Sequence, residues 1–326
     1  MFNLVRAYTP FTVLLFFIAG FVLHADALVA PQARQIGVSG PIYDLFISGV
    51  NGVLQGNAFG YTLVGLLMLM ASLLYLNMVL VRNRVFVRPG YVPAFAGLLL
   101  SALLPPLRGL PVWILIMGFA VLALGALLSV NTAQGGRRAL FNSGFWAGLA
   151  ALFAFPSMPL VVGLAVGLAV LRPFKSGEWM VLLLGFFTPA YFCAALLFLV
   201  DLLPLAKEWP SLHFARPAAA DFKRADWTAI VGTAILIIVG ATGAMRLTAR
   251  SAISVRRSWL VLGVGCTVAT LTAILCTEGH DAQAFLVVLP WLTPVIATPA
   301  ALEKKTRFGT FIFYSLIALV IAVRLL

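Results

Sequence analysis

Apolar runs separated by short polar breaks fill the chain from one end to the other. A helix that crosses a bilayer needs about 20 apolar residues, within a range of about 17–25. The runs predict helices over residues 8–23, 59–81, 91–104, 110–130, 179–203, 228–245, 260–275, 284–302 and 310–323. Pro105 and Pro106 stop the third, because proline lacks an N–H and clashes with the preceding turn. Residues 139–171 carry no charge but are broken by FPSMP at 155–159. That stretch is short for two full spans and fits two short tilted helices or a re-entrant hairpin. Counting it as two gives an all-α, polytopic bundle of about eleven helices. Residues 1–326 then form a single integral membrane domain.

Two segments break this rhythm. Residues 24–58 are the least apolar part of the first half, and residues 204–227 carry both signs of charge. Within the first, PIYDLFISGVNGVL at 41–54 is amphipathic and too short to span, so a helix lying in the membrane interface is expected there. Gly144 with Gly148, and Gly163 with Gly167, are small residues four apart, a spacing that lets membrane helices approach closely.

Basic residues fix the orientation. They cluster after every second run: Arg82, Arg84 and Arg88; Arg137 and Arg138; Arg172 and Lys175; Arg246, Arg250, Arg256 and Arg257; Lys304, Lys305 and Arg307. Short loops rich in Lys and Arg stay cytoplasmic. The N-terminus with Arg6 is then inside, the C-terminus is outside, and 24–58 and 204–227 are outside loops. Of the acids, only Glu178 and Glu303 fall inside. The expected location is a bacterial inner membrane, crossed many times.

Composition agrees. A hydrophobic fraction of 62% exceeds the roughly 45–50% of soluble domains. The net charge of +12 is the same positive-inside bias added over many loops. No basic patch is interleaved with exposed aromatics, which argues against a nucleic-acid partner. Cys193, Cys266 and Cys276 all lie in apolar runs. The last two stand about 15 Å apart along one predicted helix and cannot pair with each other. No small-residue cleavage site follows the first run, so it reads as a retained helix.

Candidate chemistry gathers at the outer face. No ionisable residue sits near the middle of a predicted span, which counts against a proton-driven carrier. His24, His213 and His280 are all outside, as are Asp26, Asp44, Asp201, Glu208, Asp221, Asp226, Glu278 and Asp281. A carboxylate beside cations at the membrane surface is suited to act as general base in transfer from a lipid phosphate. Arginine holds phosphate through paired hydrogen bonds. Arg108, in PPLRGLP, is the leading cation, with Arg34, Lys223 and Arg224 as further phosphate contacts. Glu278, His280 and Asp281 have ligand types suited to a divalent cation, the one cofactor the sequence offers. The bland alternative is that Asp26 ends the first helix and Asp44 belongs to the polar face of the interfacial one.

Two resemblances follow. LNMVLVRNRVFVRPGYVPAFAGLLLSALLPP (76–106), the LRPFKSGEW core of 141–189 and GHDAQAFLVVLPWLTP (279–294) resemble an uncharacterised family of Bacteroidota inner-membrane proteins of about this length. That likeness implies topology only. In layout, one helix, an acid-bearing outer loop with a surface helix, and then a bundle resemble the C-type membrane glycosyltransferases (GT-C), which use polyprenyl-phosphate sugars. The pattern GLAALF…VLRP…LLGFFTP is similar to their middle helices. The resemblance implies that a carboxylate of the first outer loop acts as base, here Asp44 or else Asp26. The paired acid those enzymes carry ahead of the surface helix is not seen. Three functions are therefore expected in order: handling of a polyprenyl-phosphate-linked sugar or related lipid; a non-catalytic subunit of an envelope secretion or assembly complex with a protein partner; or a neutral-lipid or solute transporter.

Overall fold

The structure is a computed structural model, and it describes residues 2–32, 41–86, 89–130, 136–204, 224–249, 251–275, 282–301 and 306–326. The described residues form helices and no strand. In chain order these are α1 (Phe2–Arg6), α2 (Pro10–Leu23), α3 (Ala25–Val29), α4 (Pro41–Leu54), α5 (Ala58–Arg82), α6 (Val92–Ser101), α7 (Val112–Ser129), α8 (Gly136–Phe153), α9 (Leu160–Leu171), α10 (Ser176–Leu199), α11 (Arg224–Ala249), α12 (Ile253–Leu275), α13 (Leu289–Ala301) and α14 (Thr306–Leu325). Among the described residues, seven helical stretches are long and apolar enough to cross a membrane. In a bilayer core every backbone N–H and C=O must be satisfied within the protein, and a helix does this by itself.

Local chemistry sets the helix ends. Pro10 occupies the first turn of α2, where a missing N–H costs nothing. The Asn57 side chain caps α5 by accepting from the N–H groups of Phe59 and Gly60 at 3.1 and 3.3 Å. α6 ends at Ser101, before Pro105 and Pro106, slightly short of the expected span. The expected helix over 284–302 is instead two pieces. A 3-10 segment, Ala282–Val288, leads into α13, which contains Pro294 and Pro299. Pro299 cannot donate to the carbonyl of Val295. A Cβ added to Gly240 of α11 would lie 2.5 Å from that same oxygen, so α11 closes directly over the freed carbonyl.

Contacts sort the loops into two ends. At the first end Tyr91 N–H bonds Val5 O at 3.1 Å, and Trp259 Nε1 donates to Val85 O at 3.3 Å. There too Arg172 reaches Val130 O at 2.6 Å and Glu178 at 3.1 Å, and Arg257 reaches Leu171 O at 3.0 Å. At the second end Arg324 pairs with Asp26 at 2.9 Å, His24 meets Ser101 at 3.2 Å, and Gly109 N–H bonds Thr62 Oγ1 at 2.9 Å. The first end carries Arg6, Arg82, Arg84, Arg137, Arg138, Arg172, Lys175, Arg256 and Arg257, the alternation the charge pattern predicts. α8 and α9 each run between these ends, joined by a 3-10 turn at Phe155–Ser157. Neither helix is among the seven stretches long and apolar enough to cross a membrane.

The core lies where α5, α6, α7 and α13 meet. Every residue of α6 is buried, and so are Trp113, Ile114, Ile116 and Met117 of α7. α10, α11 and α14 are peripheral and show apolar side chains outward, such as Tyr191, Ile238 and Phe311. Glycine decides the tightest packing. A Cβ at Gly144 would sit 2.1 Å from Leu182 O, at Gly148 2.1 Å from Phe186 O, and at Gly185 2.2 Å from Phe141 O. α8 and α10 therefore touch backbone to backbone, as the first small-residue pair predicts. Gly163 and Gly167 meet only side chains of α12 and α7, a looser contact.

Candidate functional site

The polar groups of the second end are arranged around the loop between α6 and α7. Proline pairs cannot continue a helix, so the chain turns at Pro105–Pro106, and Arg108 N–H closes a tight bend onto Pro106 O at 2.9 Å. Gly109 follows with φ +82°, a left-handed conformation that side chains disfavour. A Cβ there would also lie 2.9 Å from Gln32 O. Thr62 of α5 accepts the Gly109 N–H, and Tyr43 of α4 donates its hydroxyl to Leu110 O. The loop carrying Arg108 is thus clamped between α4 and the bundle.

Arg108 itself is half-buried. Its Nε is fully enclosed and has no hydrogen-bond partner. Leaving a buried polar group unpaired costs about 1–3 kcal/mol, more when it is charged. Asp44, on the first turn of α4 next to Tyr43, is also half-buried. α4 leaves Leu45, Phe46 and Val53 exposed.

Asp26 is placed differently. It lies on α3 and pairs with Arg324 of α14, which also donates to Leu23 O. This ion pair ties α3 to α14, and the bond to Leu23 O adds the end of α2. His24 beside it is buried, and its Nε2 meets Ser101 Oγ, whose own proton goes to Leu98 O at 2.8 Å. Burial, and then the Arg324 charge, push the His24 imidazole down to about 4 against a smaller opposing pull from Asp26. Sequence reasoning missed Tyr43, Thr62 and Arg324. Arg324 had a visible sign, a lone cation on the face where positive charge is sparse.

Of the other candidates, Arg224 opens α11 and is exposed. That helix packs on α12, α13 and α14, and no described hydrogen bond or ion pair joins Arg224 to the Arg108 loop. Arg34, Lys223, Glu278, His280 and Asp281 lie outside the described residues. Among the described residues no three His, Cys, Asp or Glu side chains converge as metal ligands. Glu178, at the first end, belongs to the Arg172 ion pair on the opposite side of the bundle from Arg108.

The fold defines a multi-pass helical membrane protein. Compared with known protein families, curated proteins and solved structures, the chain matches none of them.

Proposed function

We propose that this protein handles a polyprenyl-phosphate-linked sugar or a related anionic lipid at the outer leaflet, in a GT-C-like layout with its arginine-rich first end in the cytoplasm. One observation supports this best. Arg108 presents an enclosed, unpartnered Nε in a loop gripped by Tyr43 of an interfacial helix. The rest of that half-buried guanidinium, on the side that is not enclosed, suits a phosphate, which an arginine can hold through two parallel hydrogen bonds. In the transfer form of this reading Asp44 is the base. It takes the proton of an acceptor hydroxyl while that oxygen bonds to the anomeric carbon of the sugar, and the lipid phosphate leaves with the electron pair. The likeness to the uncharacterised Bacteroidota family adds no activity to this reading, since fold and layout do not determine function.

Native mass spectrometry of the protein extracted in mild detergent tests the proposal. A bound polyprenyl phosphate or lipid-linked sugar, depleted in Arg108→Gln, supports it. The same lipid at the same occupancy in that variant would remove Arg108 from the site. Asp44→Asn should abolish transfer while the protein still folds.

A second reading, a non-catalytic subunit of an envelope assembly, is favoured by the Asp26–Arg324 pair. That pair commits one of the two candidate carboxylates to holding helices together. A stoichiometric protein partner with no bound lipid phosphate would support this reading.

A further inference from the structure

Two side chains where α5, α6 and α13 meet carry hydrogen-bonding atoms that the protein leaves unused. Asn77 of α5 is 1% exposed and Thr293 of α13 is fully buried. Asn77 Oδ1 and Thr293 Oγ1 have no hydrogen-bond partner. A Cβ added to Gly97 of α6 would lie 2.5 Å from Leu73 Cδ2 and 3.1 Å from Thr293 Oγ1, so Leu73 and Thr293 close on the same point. Asn77 stands one turn after Leu73 on the same face of α5. Helical side chains lean back over the preceding turn, which brings the Asn77 amide toward Leu73 and Thr293. A helical threonine can give its proton to a carbonyl one turn back. Thr298 does so, to Pro294 O at 2.8 Å, and Thr293 does not. The backbone beside Thr293 is short of a donor as well. Pro294 has no N–H to give Pro290 O, its partner in a regular helix. The other carbonyl freed by a proline, Val295 O, is covered by Gly240 of α11.

We infer that this junction binds an ordered water, which donates to Asn77 Oδ1 and Pro290 O and accepts the Thr293 hydroxyl proton. Two features select that occupant. The guest is neutral, because among the described residues the buried polar side chains include no Asp, Glu, Lys or Arg. It is also small, because the closeness of Leu73 and Thr293 to Gly97 leaves no place for a larger solute. It must donate and accept at once, and a buried water does so through about three bonds, the number this junction offers. The water takes over the work of the N–H that Pro294 lacks. Ordered waters are one of the means by which a helix in a bilayer tolerates proline. The site stands apart from the Arg108 loop, and the inference does not rest on the lipid proposal.

The test is X-ray hydroxyl-radical footprinting of the full chain in mild detergent. The radicals form from water in place, so a side chain beside a bound water is oxidised even where bulk solvent does not reach. Leu73 and Leu124 of α7 are both fully buried, and mass spectrometry of their peptides gives the comparison. Leu73 should be oxidised and Leu124 spared. Thr293→Val keeps the shape and removes the hydroxyl, and it should abolish oxidation of Leu73. If that variant does not fold, Asn77→Leu removes the other contact and should have the same effect. Thr293→Val should also melt no higher than wild type. A hydroxyl left truly unpaired would give the opposite result, because a buried polar group without a partner costs more than an apolar one of the same shape. Leu73 as unreactive as Leu124, oxidation of Leu73 unchanged in a folded variant, or a raised melting temperature in Thr293→Val each overturns the inference.

Discussion

Adding a single methyl group at Gly148 should destabilise the protein, although the same change elsewhere in the bundle should help it. A Cβ at Gly148 would stand 2.1 Å from Phe186 O, 2.9 Å from its carbonyl carbon and 3.1 Å from its Cα. Favourable carbon–oxygen contacts between helices begin near 3.3 Å, so the deficit is about 1 Å. The obstructing atoms are backbone and cannot rotate away, which leaves separation of α8 from α10 as the only relief. A gap of about 0.5–1 Å already forfeits a quarter to a half of each dispersion contact, and overpacking of this kind costs roughly 1–3 kcal/mol or more. Replacing a helical glycine by alanine returns about 0.5–1 kcal/mol of backbone entropy. Gly263, in the middle of α12, has no atom within 4 Å of its added Cβ, so Gly263→Ala receives that gain alone. Thermal unfolding of the detergent-solubilised protein should place Gly148→Ala below wild type and Gly263→Ala at or above it. If Gly148→Ala melts as high as Gly263→Ala, the backbone contact between α8 and α10 is wrong.

Three further outcomes are expected. His24 is held neutral, with a folded value of about 4 against an ordinary 6.5; the folded state therefore binds fewer protons than the unfolded one. The stability it contributes is complete above about pH 6.5 and falls, by an amount on the order of 3 kcal/mol, as pH drops towards 4. His24→Gln should flatten that slope in pH-dependent melting, and an unchanged slope would assign it to another group. The Asp26–Arg324 pair is partly exposed, with side-chain exposures of 59% and 33%, so Asp26→Asn should cost no more than about 1 kcal/mol; complete loss of lipid handling in that stable variant would make Asp26 part of the site. In a cysteine-free background, Ser48→Cys should react with a membrane-impermeant maleimide on intact cells and Lys175→Cys only after permeabilisation, and the opposite pattern would invert the orientation.

Much of the architecture was legible along the chain. The all-helical fold, the seven stretches long and apolar enough to cross a membrane, the short helix α4 and the split of loops into an arginine-rich end and a second end all follow from hydropathy and charge. Those are local properties, and the bilayer reads them directly. The close approach of α8 and α10 was foreshadowed by Gly144 and Gly148, but not its partner, Gly185. The break ahead of α13 was written in its prolines, yet a continuous apolar run concealed it.

Only the tertiary structure decided which groups meet. Asp26 and Arg324 come from opposite ends of the chain, and Tyr43 of α4 holds the loop that carries Arg108 through its bond to Leu110 O. The physical reason is the solvent. In water a helix announces its packed face by being apolar on one side. In a bilayer the outward face is as apolar as the inward one, so the sequence determines that a helix crosses and in which direction, while its rotation and neighbours are settled by close packing.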